Sequence, residues 1–165
     1  MPWPCRSHLR SSLAAACVLV GLAPGVGPLA GQNIAVAVNS SVSVAEVTIG
    51  DLNNYFTFAR RSWPGGQRVT LFLPAPGSAT RGVLLKQVYH MDDSQLRRFL
   101  LEKVYQGDID AQPRVATSDA ELVGLIASTP GSVTLLPVDL ATAAKLKILK
   151  VNGEAPGETG YLLRP

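Results

Sequence analysis

A chain of 165 residues, 47% of them apolar, is long enough for one domain with its own core. Fifteen basic residues against twelve acidic ones give a net charge of +3, but Arg6 and Arg10 fall in an N-terminal stretch with no acidic residue, so the remainder carries only +1. That balance excludes the basic face of a nucleic-acid binder. Both cysteines, Cys5 and Cys17, lie in the same N-terminal stretch, which excludes a disulfide framework or thiol chemistry in whatever follows it.

The first segment has a basic start, an apolar run from Leu13 to Leu22, and a small-residue exit near Leu29-Ala30-Gly31. This order predicts a secretory signal peptide over residues 1–31, with the mature chain starting between Ala30 and Asn33. Pro24 and Pro28 break the run well short of the roughly twenty apolar residues a membrane span needs. A periplasmic or secreted protein with no transmembrane span after signal removal is expected. Cys17 sits inside the apolar run instead of after it, which argues against lipoprotein processing.

Residues 32–152 then alternate two periodicities. Ile34–Val38 is apolar and β-branched at alternate places, as a buried strand is. Thr48 to Phe58 reads as a helix, with Asp51 completing a capping box and Ile49, Leu52 and Phe56 on one face. Trp63-Pro64-Gly65-Gly66 marks a turn, and Val69–Leu73 a second strand stopped by Pro74. After Ala75-Pro76-Gly77, Ser78 opens a helix running to about Tyr89. Asp92 or Asp93 caps the next helix, whose Leu96, Phe99, Leu100 and Val104 fall at helical spacing before Gly107. Val115-Ala116 reads as a short strand, Ser118–Glu121 as a capping box, and Val133–Val138 and Leu146–Val151 as the last strands, around a helical turn near Ala141. Residues 153–165, rich in Gly, Pro and Glu, read as a flexible tail. Alternating strands and helices predict an α/β domain with a mixed or mostly parallel sheet flanked by helices.

Candidate chemistry is sparse. His90 is the only histidine after the N-terminal stretch, so neither a zinc site nor a Ser-His-Asp constellation is expected. No Gly-x-Ser-x-Gly elbow and no Walker A sequence occurs. Asp92-Asp93 precedes an apolar helix, which favours capping over paired-carboxylate chemistry. The chain is therefore read as a non-enzyme with no catalytic residue, metal or cofactor. Arg60-Arg61 beside Trp63 has two readings, contact with an acidic partner or a solvated turn. Ser78 also has two. A helix N-terminus carries unpaired N–H groups and partial positive charge, so Ser78, Ala79, Thr80 and Arg81 together form a candidate oxyanion site. Alternatively Ser78 only caps the helix and Arg81 is solvated.

The order of motifs resembles the phosphate-type periplasmic substrate-binding protein family, the PBP-like domain. The matching segments are Val47–Leu52 with Tyr55-Phe56, the turn Trp63-Pro64-Gly65-Gly66, the loop Pro76-Gly77-Ser78-Ala79-Thr80-Arg81, Thr117–Leu122, and Thr129-Pro130-Gly131-Ser132-Val133. The resemblance implies a single PBP-like lobe that binds inorganic phosphate or a similar oxyanion through Ser78, Ala79, Thr80 and Arg81. It also implies service to an ABC transporter. Full members hold the anion between two lobes, whereas this chain is about half that size. A protein partner or second copy would then complete the cleft. Two departures stand out: the second glycine of the family's loop is Ala79 here, and Val133-Thr134-Leu135 replaces Ile-Gly-Tyr. The Ala79 change and the missing lobe favour the alternative of an envelope interaction or sensory module that keeps the lobe without its ligand, while the retained Ser78, Thr80 and Arg81 favour oxyanion binding.

Overall fold

The computed structural model describes residues 33–165, so the signal-peptide expectation and both cysteines lie outside the described residues. Six strands, β1 (Ile34–Val38), β2 (Glu46–Val47), β3 (Thr70–Leu73), β4 (Arg114–Val115), β5 (Ser132–Pro137) and β6 (Lys147–Val151), form one sheet in the order β2-β6-β1-β5-β3-β4. β2 runs parallel to β6, β3 to β5 and β4 to β3, while β1 is antiparallel to both its neighbours. The sheet is thus mixed, with β1 alone running against the rest. The two strands expected first, β1 and β3, share it with β5 between them.

Alternation along β1 explains the layering. Ile34, Val36 and Val38 face one side, and Ala35 and Ala37 the other. On the first side they pack with Leu73, Val133, Leu135 and Leu149 against helix α1 (Ile49–Phe56), helix α2 (Ala79–Val83) with its π-helical continuation Leu84–Tyr89, and helix α3 (Asp93–Tyr105). On the second side helices α4 (Asp119–Ser128) and α5 (Val138–Ala143) cover Ala35, Ala37, Phe72 and Leu136 with Leu122, Ile126 and Ala141. The small alanines let α5 approach β1 closely, while α4 lies over β5 and β3.

Caps follow the sequence with two adjustments. Thr48 and Asp51 form the expected capping box at α1, and Asp92 forms one with Gln95 at α3. At α4 Ser118 accepts from the Glu121 N–H at 3.2 Å, but the Glu121 carboxylate turns to the Thr117 N–H and hydroxyl, both at 2.8 Å, and to Arg114. α1 stops at Phe56, two residues short of expectation, because Phe58 takes a left-handed φ of 63°. Gly131, at φ 73°, is required where it stands: a Cβ there would lie 2.3 Å from the Arg68 carbonyl oxygen. Its own carbonyl accepts from the buried Trp63 indole N–H at 2.9 Å, which ties the Trp-containing turn to the start of β5.

One expectation is corrected. Residues 153–165 are not a loose end, because Tyr161 and Leu163 are buried in the first-side core and the Ile34 N–H donates to the Leu163 carbonyl at 3.2 Å. The Gly/Pro-rich composition hid two apolar anchors spaced two apart, as in an extended segment. Leu163→Ala should therefore lower unfolding free energy by about 2–5 kcal/mol in urea titration, the cost of emptying a buried leucine site. A free tail would leave it unchanged.

Hydrogen bonds from Thr117 and then from Arg114 hold the Glu121 carboxyl down, from 4.5 to about 2. A depressed carboxyl contributes stability that is complete above about pH 4.5 and is lost as the pH falls through its folded value. Between these two pH values the parent should lose stability more steeply than Glu121→Gln, measured by chemical denaturation at stepped pH.

Candidate functional site

The carboxyl ends of the parallel strands all lie along one edge of the sheet. α1, α2, α4 and α5 start from that edge, after β2, β3, β4 and β5 respectively. In open α/β sheets this edge is where ligands bind. The β1 start lies there too, since Ile34 pairs with Pro137 at the end of β5.

The loop after β3 carries the four residues singled out by sequence, and the structure separates their roles. Gly77 takes φ 78°, turning the chain into Ser78. Ser78 is the N-cap of α2: its hydroxyl accepts from the Arg81 N–H at 3.1 Å and donates to the Ala75 carbonyl at 2.8 Å. Thr80 is buried, whereas Ala79 is exposed. Arg81 is not a free cation. Its side chain is only 8% exposed, and both its Nε and Nη2 donate to one Asp93 carboxylate oxygen, at 3.0 and 2.9 Å. Nη1 points at the Pro74 carbonyl, 3.5 Å away. The guanidinium thus joins the first turn of α2, the first turn of α3 and the end of β3. The Asp92-Asp93 pair divides its work accordingly, with Asp92 capping α3 and Asp93 neutralising Arg81.

Ala79 instead opens onto a cleft of about 340 Å³ that the sequence reading missed. Gly82, Val83, Lys86 and Gln87 form one wall and Arg164 and Pro165 the other. Ala79, Gly82, Val83 and Lys86 fall at i, i+3, i+4 and i+7, so a helical stripe reaching Lys86 was readable from the period. Arg164 was not, because it arrives from the tail expected to be free. Its guanidinium donates to the Glu158 carbonyl, and among the described residues neither it nor Lys86 forms an ion pair. The cleft therefore combines a helix start with two cations that stand outside the ion pairs among the described residues, an arrangement suited to an oxyanion. Among the described residues no group of three or more His, Cys, Asp and Glu side chains is placed to hold a metal ion, and no helix is long and apolar enough to cross a membrane.

Compared with known proteins, the sequence matches no family model and no curated protein. Solved structures do match. PstS from Borrelia burgdorferi superposes with a TM-score of 0.62 at 12% identity, covering 80% of this chain and 54% of that one. An ABC-type phosphate transport receptor from Vibrio cholerae gives 0.62 at 15% identity, covering 81% and 54%. A protein assigned as a phosphate ABC transporter substrate-binding protein from Clostridium perfringens, solved with phosphate bound, gives 0.59 at 11% identity, covering 75% and 46%. The fold is that of a periplasmic-binding-protein-like lobe. The chain spans about half the length of each of these neighbours, which are binding proteins.

Because Arg81 is buried and Asp93 is 40% exposed, the two halves of their pair are not equivalent. Asp93→Ala leaves a buried charge without its partner and should cost about 3 kcal/mol, the low end for a broken buried pair. Arg81→Met leaves only a carboxylate that water can reach, and should cost clearly less. Thermal melts of the two variants check the order.

Proposed function

We propose that the protein is an exported oxyanion-binding module of the phosphate substrate-binding type, with phosphate or a similar anion held where α2 begins. The observation that carries this reading is the cleft at Ala79, where the helix start meets Lys86 and Arg164. In this reading the backbone N–H groups of Ala79 and Thr80 face the anion and Lys86 and Arg164 supply charge. Ser78 and Arg81 keep the loop in shape, Ser78 as the cap and Arg81 through Asp93. The neighbours' association with phosphate supports the ligand class. The N-terminal pattern of Arg6, Arg10 and the Leu13–Leu22 run supports export to the periplasm or beyond. A second lobe, from a protein partner or a second copy, would close the cleft, and delivery to an ABC transporter would follow from such closure.

A second reading is favoured by one observation, the engagement of Arg81 by Asp93, which removes the strongest anion ligand expected in the loop. On that reading the lobe serves as an envelope interaction or sensory module without a small ligand. Calorimetry with phosphate and sulfate, against a neutral control, decides between them. The oxyanion reading expects saturable heat with phosphate. It also expects Lys86→Ala and Arg164→Ala each to weaken affinity about ten- to a hundredfold, the value of one charge-assisted contact. No heat at millimolar phosphate overturns it and leaves the interaction module.

A further inference from the structure

A second opening lies at the other end of β3. Residues just before that strand, Arg68 and Val69, meet the C-terminal end of α1 and the loop that leads into β4. The cleft measures about 220 Å³, and most of its lining is carbon, with the buried Tyr55 and Leu71 at its floor. Arg60, Arg61 and Arg68 stand around it. Arg60 stacks over the Tyr55 ring, 5.6 Å from its centroid, and pairs with Asp51 at 3.0 Å. Arg61 reaches Asp108 at 3.6 Å and Arg68 reaches Asp110 at 2.9 Å, so two ion pairs clasp the loop over the opening.

Three features mark this as a binding site instead of a gap in the packing. First, an apolar cavity of about 150 Å³ is known to accept benzene, so about 220 Å³ admits a ring with a short side chain. Second, Asp108 is shared between Arg61 and Lys103, so that with Asp51 and Asp110 three carboxylates face four cations around the opening. Third, Phe58, another of the lining residues, holds a left-handed φ of 63° that bulky side chains rarely adopt, and such backbone strain concentrates at ligand sites. The clasps are also easily exchanged. Arg68 is 78% and Asp110 89% exposed, and pairs so exposed hold weakly against water or a competing carboxylate.

We propose that this cleft binds a small monocarboxylate with a ring-sized apolar body, such as an arylalkanoate. The ring lies against Tyr55, Phe58 and Leu71, and the carboxylate takes the place of Asp110 on the fork of Arg68, with Arg61 beside it. A guanidinium holds a carboxylate through two parallel hydrogen bonds, which suits one planar anionic group. The site is distinct from the cleft at Ala79, since it sits before β3 and not after it. The Arg60-Arg61 pair, ambiguous in the sequence, is thereby given a ligand.

The test is titration of the protein with 3-phenylpropionate, followed by NMR and calorimetry, with acetate and 3-phenylpropanol as controls for ring and charge. Saturable binding is expected, with shifts at Tyr55 and Val69, and both controls at least about tenfold weaker. Arg68→Ala and Arg61→Ala, at exposed positions where folding is preserved, should each weaken the acid by about tenfold without moving the affinity of the alcohol. Excess phosphate should not displace the acid. The proposal is overturned if the acid does not bind at millimolar concentration, if the alcohol binds as well as the acid, or if both arginine variants bind the acid like the parent.

Discussion

The placement of β1 constrains everything else in this molecule. It lies between β5 and β6, antiparallel to each, and all five of its residues are buried. A strand covered on both faces and paired on both edges meets no water, so it has to satisfy its backbone polar groups through the ladder and fill both faces with carbon. The sequence Ile-Ala-Val-Ala-Val does this with large residues toward α1, α2 and α3 and methyl groups toward α4 and α5. Thr134 on β5 is buried beside it without penalty because its hydroxyl donates to the Phe72 carbonyl at 2.8 Å. Asn39, just past the end of β1, donates to the Ile126 and Ala127 carbonyls at the end of α4, so the strand also fixes a helix terminus.

Charge is arranged differently at the two ends of β3. After the strand, the cation in the loop is buried and neutralised, while Lys86 and Arg164 remain without carboxylate partners among the described residues. Before the strand, every arginine has a partner, yet each pair is at least partly open to water. Asp108 shows the consequence: Lys103 first, and Arg61 to a smaller extent, hold its carboxyl below the usual range. A buried pair such as Arg81–Asp93 fixes backbone geometry, because separating it strands a charge in a poorly solvated place. Exposed pairs can trade partners at little cost. The same residue type thus serves as a structural tie on one edge and as an exchangeable clasp on the other.

Elements with strong local periodicity were legible in the sequence. β1 matched its expected span, β3, β5 and β6 came within one residue, the caps at Thr48, Ser78 and Ser118 were read from residue type and spacing, and that of α3 was narrowed to Asp92 or Asp93. The mixed sheet was legible as a class, but the reversed direction of β1 was not, since strand direction depends on contacts about a hundred residues away. At the candidate site the environment of Arg81 was not legible. Its identity suggested a ligand, and only the fold brings Asp93 onto it, twelve residues later and across a π-helical turn. The tail failed for a similar reason. Glycine and proline dominate its composition, while two side chains, Tyr161 and Leu163, decide its position.

The pairing of β1 has a consequence for how the chain comes to be folded. Ile34 meets Pro137, and Val36 meets Leu149, so the strand that organises the sheet waits for partners more than a hundred residues downstream. At ordinary synthesis rates that interval is about 5–20 s, during which a wholly apolar segment has nothing to pair with. Local helices can form in that time, but the sheet cannot close around its centre. Topologies of this kind fold slowly and leave a sticky segment open to chaperones or to other nascent chains.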